Sequence, residues 1–280
     1  MKLYKQIIFI LVVFFKTETL FSENNLFNVN NIQIKKKNEI TNNILADQAI
    51  KEGFDQLIEK ILLINDSKKL SDLSFPSIKQ LVTYYRIINT SNRDDKEEYV
   101  NFNVSFNKEK IHDLFYKRGI SYSEIADKEL YILPLLIKNN EIFIFNNNFF
   151  YENWNKVYKN NLIEFILPLE NIEIIQNINS LKNDLINLNI DNLFKEYMNK
   201  NLAFILIEDN VSVEKKIYIK TKIQGKKISK SLNLEPNTTN DNFYENIITE
   251  IKKELIDLVK SKNLIDIRVP SFLNVRLNIN

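Results

Sequence analysis

Apolar residues recur along this chain at two periods, and the changes of period mark out its elements. Phe27-Asn28-Val29-Asn30-Asn31-Ile32-Gln33-Ile34 alternates closely enough to predict a strand. From Glu39 to Leu63 the spacing lengthens. Ala46, Ala49, Ile50, Gly53, Phe54, Leu57, Ile58 and Ile61 fall on one stripe, which predicts a long amphipathic helix. Gly53 in that stripe costs about 1 kcal/mol against alanine, so the pattern implies close approach of another element. Pro76 predicts a short helix leading through Ile78 to Tyr85. Tyr85–Asn89 and Tyr99–Phe106 read as a hairpin around Ser91-Asn92-Arg93-Asp94-Asp95. In its second arm Val100, Phe102, Val104 and Phe106 take one face, and Asn101, Asn103 and Ser105 the other. Asn107 and Gly119 frame a helix over Lys108–Lys117, as N-cap and left-handed stop.

The pattern then starts afresh. Leu130–Ile137 and Glu141–Phe145 predict a hairpin turning at Asn139-Asn140, and Phe149–Tyr158 a short aromatic helix. Leu162–Leu167 reads as an apolar strand stopped by Pro168. Helical spacing fills Asn171–Met198, with a break near Asn189-Ile190-Asp191. Leu202–Glu208 is an apolar strand, and Val213–Ile223 with Lys226–Leu234 a hairpin turning at Gln224-Gly225. Phe243, Ile247, Ile251, Leu255 and Val259 mark a closing helix, and Asn274–Ile279 alternates like an edge strand. The fold class is therefore α+β, with two sheet-plus-helix domains. Residues 27–123 form an N-terminal β-α-α-β-β-α domain, and residues 129–280 a C-terminal domain with a basic hairpin and the closing helix.

The first 22 residues stand apart. Lys2 and Lys5 lead into the apolar run 7–15, and Leu20-Phe21-Ser22 supplies a site ending in a small residue. That order is a secretory signal peptide over residues 1–22. The run is shorter than the roughly 20 apolar residues of a membrane span, so no stable transmembrane segment is expected after cleavage. The expected address is a bacterial periplasm. The absence of cysteine fits domains large enough to fold without disulfide staples. The formal charge of +2 belongs to this leader, with Lys2, Lys5, Lys16 and Glu18, so the remainder is neutral and overall charge gives no argument for nucleic acid.

The inventory for catalysis is narrow. His112 is the sole histidine, and it sits beside Ile111 and Phe115 at the edge of an apolar stripe, where a packing role explains it. A triad needs an imidazole beside a nucleophile, and zinc needs several nitrogen or sulfur ligands. Asp94, Asp95, Glu97 and Glu98 lack the spacing of a calcium loop and read as a solvated hairpin tip. Gly53, Gly119 and Gly225 stand alone, so there is no phosphate-binding loop. No catalytic, cofactor-binding or metal-ligating residue is therefore assigned. Two interaction segments are. One is the aromatic run with Phe149, Phe150 and Trp154, expected as helix core or as an exposed patch. The other is the hairpin 215–230, where Lys216, Tyr218, Lys220 and Lys222 share a strand face joined by Lys226, Lys227 and Lys230. It reads as a guard against edge aggregation or as a contact for anionic polymer or lipid.

Four segments resemble an exported proteobacterial family catalogued as domain of unknown function 2066. They are Ala46-x-x-Ala49-Ile50-x-x-Gly53-Phe54-x-x-Leu57-Ile58, Tyr99-Val100-x-Phe102-x-Val104-x-Phe106-Asn107, Ile132-Leu133-Pro134, and Asn148 through Trp154. Leu167-Pro168-Leu169-Glu170 also fits, and the likeness spans Phe27 to Phe204. The family has a second tryptophan where this chain has Phe149-Phe150. The resemblance implies export and no assigned activity, so no active-site residue carries over. The second half also looks like the small α/β domain that begins periplasmic TolB, an analogy of fold alone. The expected function is a non-catalytic docking module for an envelope protein. The alternatives are a binder of anionic polymer or lipid through 215–230, and a carboxylate-based hydrolase.

Overall fold

The computed structural model describes residues 26–36, 41–93, 97–125, 128–158, 162–209, 216–233 and 242–267. The expected leader 1–22, the acidic pair Asp94 and Asp95, Lys215 and the segment Asn274–Ile279 expected as an edge strand lie outside them. The chain is α+β, divided into two compact units, Met1–Tyr122 with Asp266–Asn280 and Ser123–Ile265. Ile267, expected in the second domain, packs on the core of the first unit. Among the described residues no helix is long and apolar enough to cross a membrane.

In the first unit, β1 (Asn28–Lys35), β2 (Val82–Arg93) and β3 (Glu97–Phe106) form an antiparallel sheet in the order β1-β3-β2. The apolar face of β3 is buried, with Phe102 and Val104 nearly inaccessible. Helix α1 (Asn42–Ile61) covers it. Its buried residues are the stripe read from the sequence, Ala46, Ala49, Ile50, Gly53, Phe54, Leu57, Ile58 and Ile61, together with Leu45. A β-carbon at Gly53 would meet Ile32 Cδ1 at 2.8 Å and Val104 Cβ at 3.4 Å, so helix and sheet approach closely at this glycine and leave no room for more than a small side chain. After the short α2 (Ile64–Ser67), α3 (Phe75–Gln80) ends sooner than its pattern suggests. The residues Val82–Tyr85 belong to β2 instead, since their backbones pair with Phe106–Val104. α4 (Lys108–Arg118) is bounded as expected. Asn107 accepts from Lys110 N at 3.0 Å, and Gly119 takes φ 63°.

In the second unit, β4 (Glu129–Lys138) pairs in parallel with β7 (Leu202–Asp209). Its other edge is shared by β6 (Glu164–Ile166) near Leu130 and β5 (Glu141–Phe143) near Ile137. Pro134, which has no amide to donate, lies in the gap between them. β8 (Lys216–Ile223) and β9 (Lys226–Asn233) extend the sheet to the order β9-β8-β7-β4-β5. β7 reads LAFILIED because both of its faces are buried. Ala203, Ile205 and Ile207 face one core, with α8 (Phe243–Lys262). Leu202, Phe204 and Leu206 face another, with α6 (Ile172–Ser180) and α7 (Ile190–Leu193). The two tight turns use the expected residues. Asn139 and Asn140 have φ 52° and 64°, and Gln224 and Gly225 have φ 49° and 76°. The helical stretch 171–198 breaks earlier than its pattern suggests, since α6 stops at Ser180 and Asn189 serves as the N-cap of α7.

Candidate functional site

Both interaction segments named from the sequence are built into the fold. α5 (Phe149–Asn153) starts at Asn148, a fully buried cap. The Asn148 amide donates to the carbonyls of Pro134, Phe143 and Ile144, and its oxygen accepts from Phe150 N and Tyr151 N. That network turns Phe150 and Trp154 inward, both at 0% exposure, and leaves Phe149 half-buried against Tyr244. The exposed-patch alternative for this run is thereby corrected. Trp154 is a core residue, edge-on to Phe165.

The lysine face of β8 is likewise occupied from within. Lys220 donates to Leu188 O, and Lys222 to Asp191 Oδ1 at 2.7 Å and Met198 O at 3.2 Å. Lys227, opposite Lys222 in register, reaches the other oxygen of Asp191 at 2.6 Å. Hydrogen bonds from both lysines hold the Asp191 carboxyl below the usual carboxylate range. Lys230 pairs with Glu254 at 2.5 Å. Lys216 is half-buried and Lys226 is exposed at the turn. Among the described residues, Lys220, Lys222, Lys227 and Lys230 are each engaged by a partner within the fold.

His112 lies half-buried on α4. Its ring stacks on Tyr122 at 5.2 Å and meets Phe27 edge-on at 5.5 Å. Desolvation, with help from Lys108, lowers its pKa below 6.5. Nε2 is buried and has no hydrogen-bond partner among the described residues. The surroundings are those of a packing residue.

Two residues escaped the sequence reading because their partners are remote in sequence. Lys252, on α8, is 2% exposed. Its ammonium donates to Val157 O at 2.7 Å and Tyr158 O at 3.3 Å, and lies over the rings of Trp154 and Phe165. Burial lowers its pKa to about 8. Tyr244 donates to Asp209, and burial together with that carboxylate raises the pKa of its hydroxyl.

Two surface concavities lie among the described residues of the first unit. An open groove of about 450 Å³ runs between α3 and α4, floored by Leu73, Leu81 and Leu114. Its charges are engaged locally: Lys110 binds Gln80 O and Lys117 binds Asp113. A smaller one, about 80 Å³, opens on the polar face of the first sheet. It is lined by Asn28, Asn30, Tyr84, Arg86, Asn103 and Ser105. Neither carries a pair of carboxylates. Among the described residues no group of three histidines or acids could hold a metal ion.

The second concavity adjoins the most unusual surface of the first unit. β2 is an outer strand. A helix is about 10 Å across and strands stand about 4.8 Å apart, so one helix covers about two strands. α1 lies over β1 and β3. Tyr85 and Ile87, in register with Val104 and Phe102, therefore carry the apolar face of the sheet out beyond the helix. They are each 45% exposed, and Tyr84 and Ile88 are about as open. Shifts of register at Val82/Tyr84 and Ile87/Asn89 bracket a regular run, Tyr84–Ile87. The sequence marks this strand only by its clustered aromatic and β-branched residues.

No family model and no curated protein matches the chain. Among solved structures, a protein described only as uncharacterized is similar over 50% of this chain and 91% of its own. The identity is 9% and the TM-score 0.16, a likeness that carries no argument about fold or function.

Proposed function

We propose that this chain is a non-catalytic docking module of the bacterial envelope, exported by its leader, and that it takes its partner along the edge of β2. The observation that carries the reading is the exposed run Tyr84, Tyr85, Ile87 and Ile88 on an outer strand. Such a strand offers main-chain groups for strand addition together with apolar surface for an incoming side chain. The signal-peptide pattern of residues 1–22 and the resemblance to the family of unknown function 2066 support the periplasmic address.

The test is a photo-crosslinking side chain placed at Tyr85 or Ile87 in the full chain, expressed in its native host. Tyr116, 60% exposed on α4, is the control position. Discrete adducts are expected from 85 and 87 and not from 116. They should disappear when Tyr84 is replaced by Pro, and should form again from purified components. The same adducts from all three positions, or none from the strand, would overturn the reading, as would export failure of the intact chain.

A further inference from the structure

The edge of β2 also says what its partner must look like. We propose that it accepts an extended partner segment with an apolar–acidic–apolar triplet, laid opposite Tyr85, Arg86 and Ile87. This inference rests on the docking reading above and adds the chemistry of the docked segment.

The triplet follows from register and charge. Residues directly opposite one another on neighbouring strands share a face of the sheet, whether the strands run parallel or antiparallel. A partner residue opposite Tyr85 or Ile87 therefore falls on the apolar face beyond α1, against a half-exposed ring or an isoleucine. Both positions favour an apolar side chain. The residue between them falls on the other face, beside Arg86.

That face is polar. Arg86 is in register with Asn103, and both line the shallow concavity of about 80 Å³ with Asn28, Asn30, Tyr84 and Ser105. Two neighbouring amide oxygens are already engaged, one by a hydroxyl and one by a backbone N–H. Ser105 Oγ donates to Asn28 Oδ1 at 2.7 Å, and Asn31 N donates to Asn103 Oδ1 at 3.0 Å. Arg86 is exposed and has no ion pair or hydrogen bond among the described residues. β2 contains two arginines, Arg86 and Arg93, and no carboxylate. A guanidinium set among engaged neutral groups is complementary to one carboxylate, which it binds through two parallel hydrogen bonds.

The bulges set the length of the match. Between the two irregularities pairing is regular over Tyr84–Ile87, and it resumes in a shifted register over Asn89–Arg93, so the recognised core around Tyr85 and Ile87 is short. A ladder between two copies that ran the length of β2 would have to cross both irregularities, and bulges are one way edge strands resist self-association.

The test uses the full chain and four short synthetic peptides that differ only at their centre: Val-Glu-Val, Val-Gln-Val, Val-Lys-Val and Ser-Glu-Ser. Binding is followed by amide chemical shifts and by affinity. The expected result is shifts centred on residues 84–87 with Val-Glu-Val. The lysine and serine peptides should bind about five- to tenfold more weakly. Exchanging the charge with Arg86→Glu should invert the order, so that Val-Lys-Val binds best. Equal binding of the glutamate and lysine peptides would overturn the acidic requirement while leaving edge docking in place. Equal binding of the serine peptide would overturn the apolar requirement. Shifts elsewhere, or no binding by any peptide, would overturn the triplet, and the crosslinking experiment decides separately whether the edge docks at all. A mass of two copies in solution, abolished by Arg86→Glu, would replace the proposed partner with a second copy of this chain.

Discussion

Gly53 faces Ile32 across the helix–sheet interface so closely that a β-carbon on the glycine would stand 2.8 Å from Ile32 Cδ1. The atom in the way is the far end of a flexible side chain, whereas Val104 Cβ, at 3.4 Å, belongs to the strand's own wall. Alanine at Gly53 therefore sets a small shift of Ile32 against the roughly 1 kcal/mol that alanine adds to helix propensity. We expect Gly53→Ala to leave the urea midpoint nearly unchanged. Gly53→Leu has nowhere to go and should cost about 1–3 kcal/mol by overpacking. Phe54, 3% exposed beside it, sets the scale: its replacement by alanine should cost about 3–5 kcal/mol. A harmless Gly53→Leu would mean that the helix does not rest on this sheet in solution.

Asn148 joins the start of α5 to the gap in the sheet at Pro134. Removing its amide strips a donor from buried carbonyls and a cap from the helix at once. Asn148→Ala should cost about 2–4 kcal/mol. Asn148→Asp keeps the cap oxygen but turns a carboxylate toward the carbonyls of Pro134 and Ile144. It should be the more damaging variant at neutral pH and recover part of its stability on acidification, when the carboxyl can donate. Chemical denaturation of both variants at two pH values checks this.

What the sequence showed plainly was whatever a short stretch decides alone. The α1 stripe, the Asn107 and Gly119 helix ends and the turns at Asn139-Asn140 and Gln224-Gly225 all depend on local backbone preference or on one period. The candidate sites were less legible because exposure is a property of neighbours. Lys222 looks like a surface feature, and Trp154 reads as core or patch alike, until Asp191 and Phe165 are brought beside them by the fold. Conversely, Tyr85 and Ile87 look like core residues. They are exposed because a single helix is too narrow for three strands, a fact of geometry that no residue on β2 encodes.

His112 should matter to stability and not to docking. Its contacts with Tyr122 and Phe27 are of a kind worth about 0.5–1.5 kcal/mol, so His112→Gln should cost about 1 kcal/mol. That is more than its position at the edge of a stripe suggests from sequence alone. Because burial lowers the folded-state pKa below 6.5, the unfolded chain takes up a proton first on acidification. This contribution is complete above pH 6.5 and is lost as the pH falls from there towards the lowered value. His112→Phe keeps the ring contacts and should remove that part of the acid sensitivity. Crosslinking from Ile87 should be unaffected in both variants, and loss of it from a folded variant would make the histidine functional.

Lys252 supplies the opposite end of the pH profile. Its folded-state pKa of about 8 lies below the ordinary 10.5, through desolvation in the core of the second unit. Between those values the unfolded chain holds a proton that the folded chain has released. Unfolding then takes up protons, so stability rises with pH across the window. The penalty of the buried charge is present in full below pH 8 and is relieved above it. The two carbonyl bonds and the Trp154 and Phe165 rings explain why the charged form is tolerated at all. Tyr244 pulls the other way above pH 10, since burial and Asp209 keep its hydroxyl protonated in the folded chain. The measurement therefore runs from neutral pH to just below 10, comparing the urea midpoint of the wild type with that of Lys252→Met. The wild type should gain stability relative to the variant as the pH rises past 8. A constant difference would show that the ammonium keeps its ordinary pKa, and so that water reaches Val157 and Tyr158 in the folded chain.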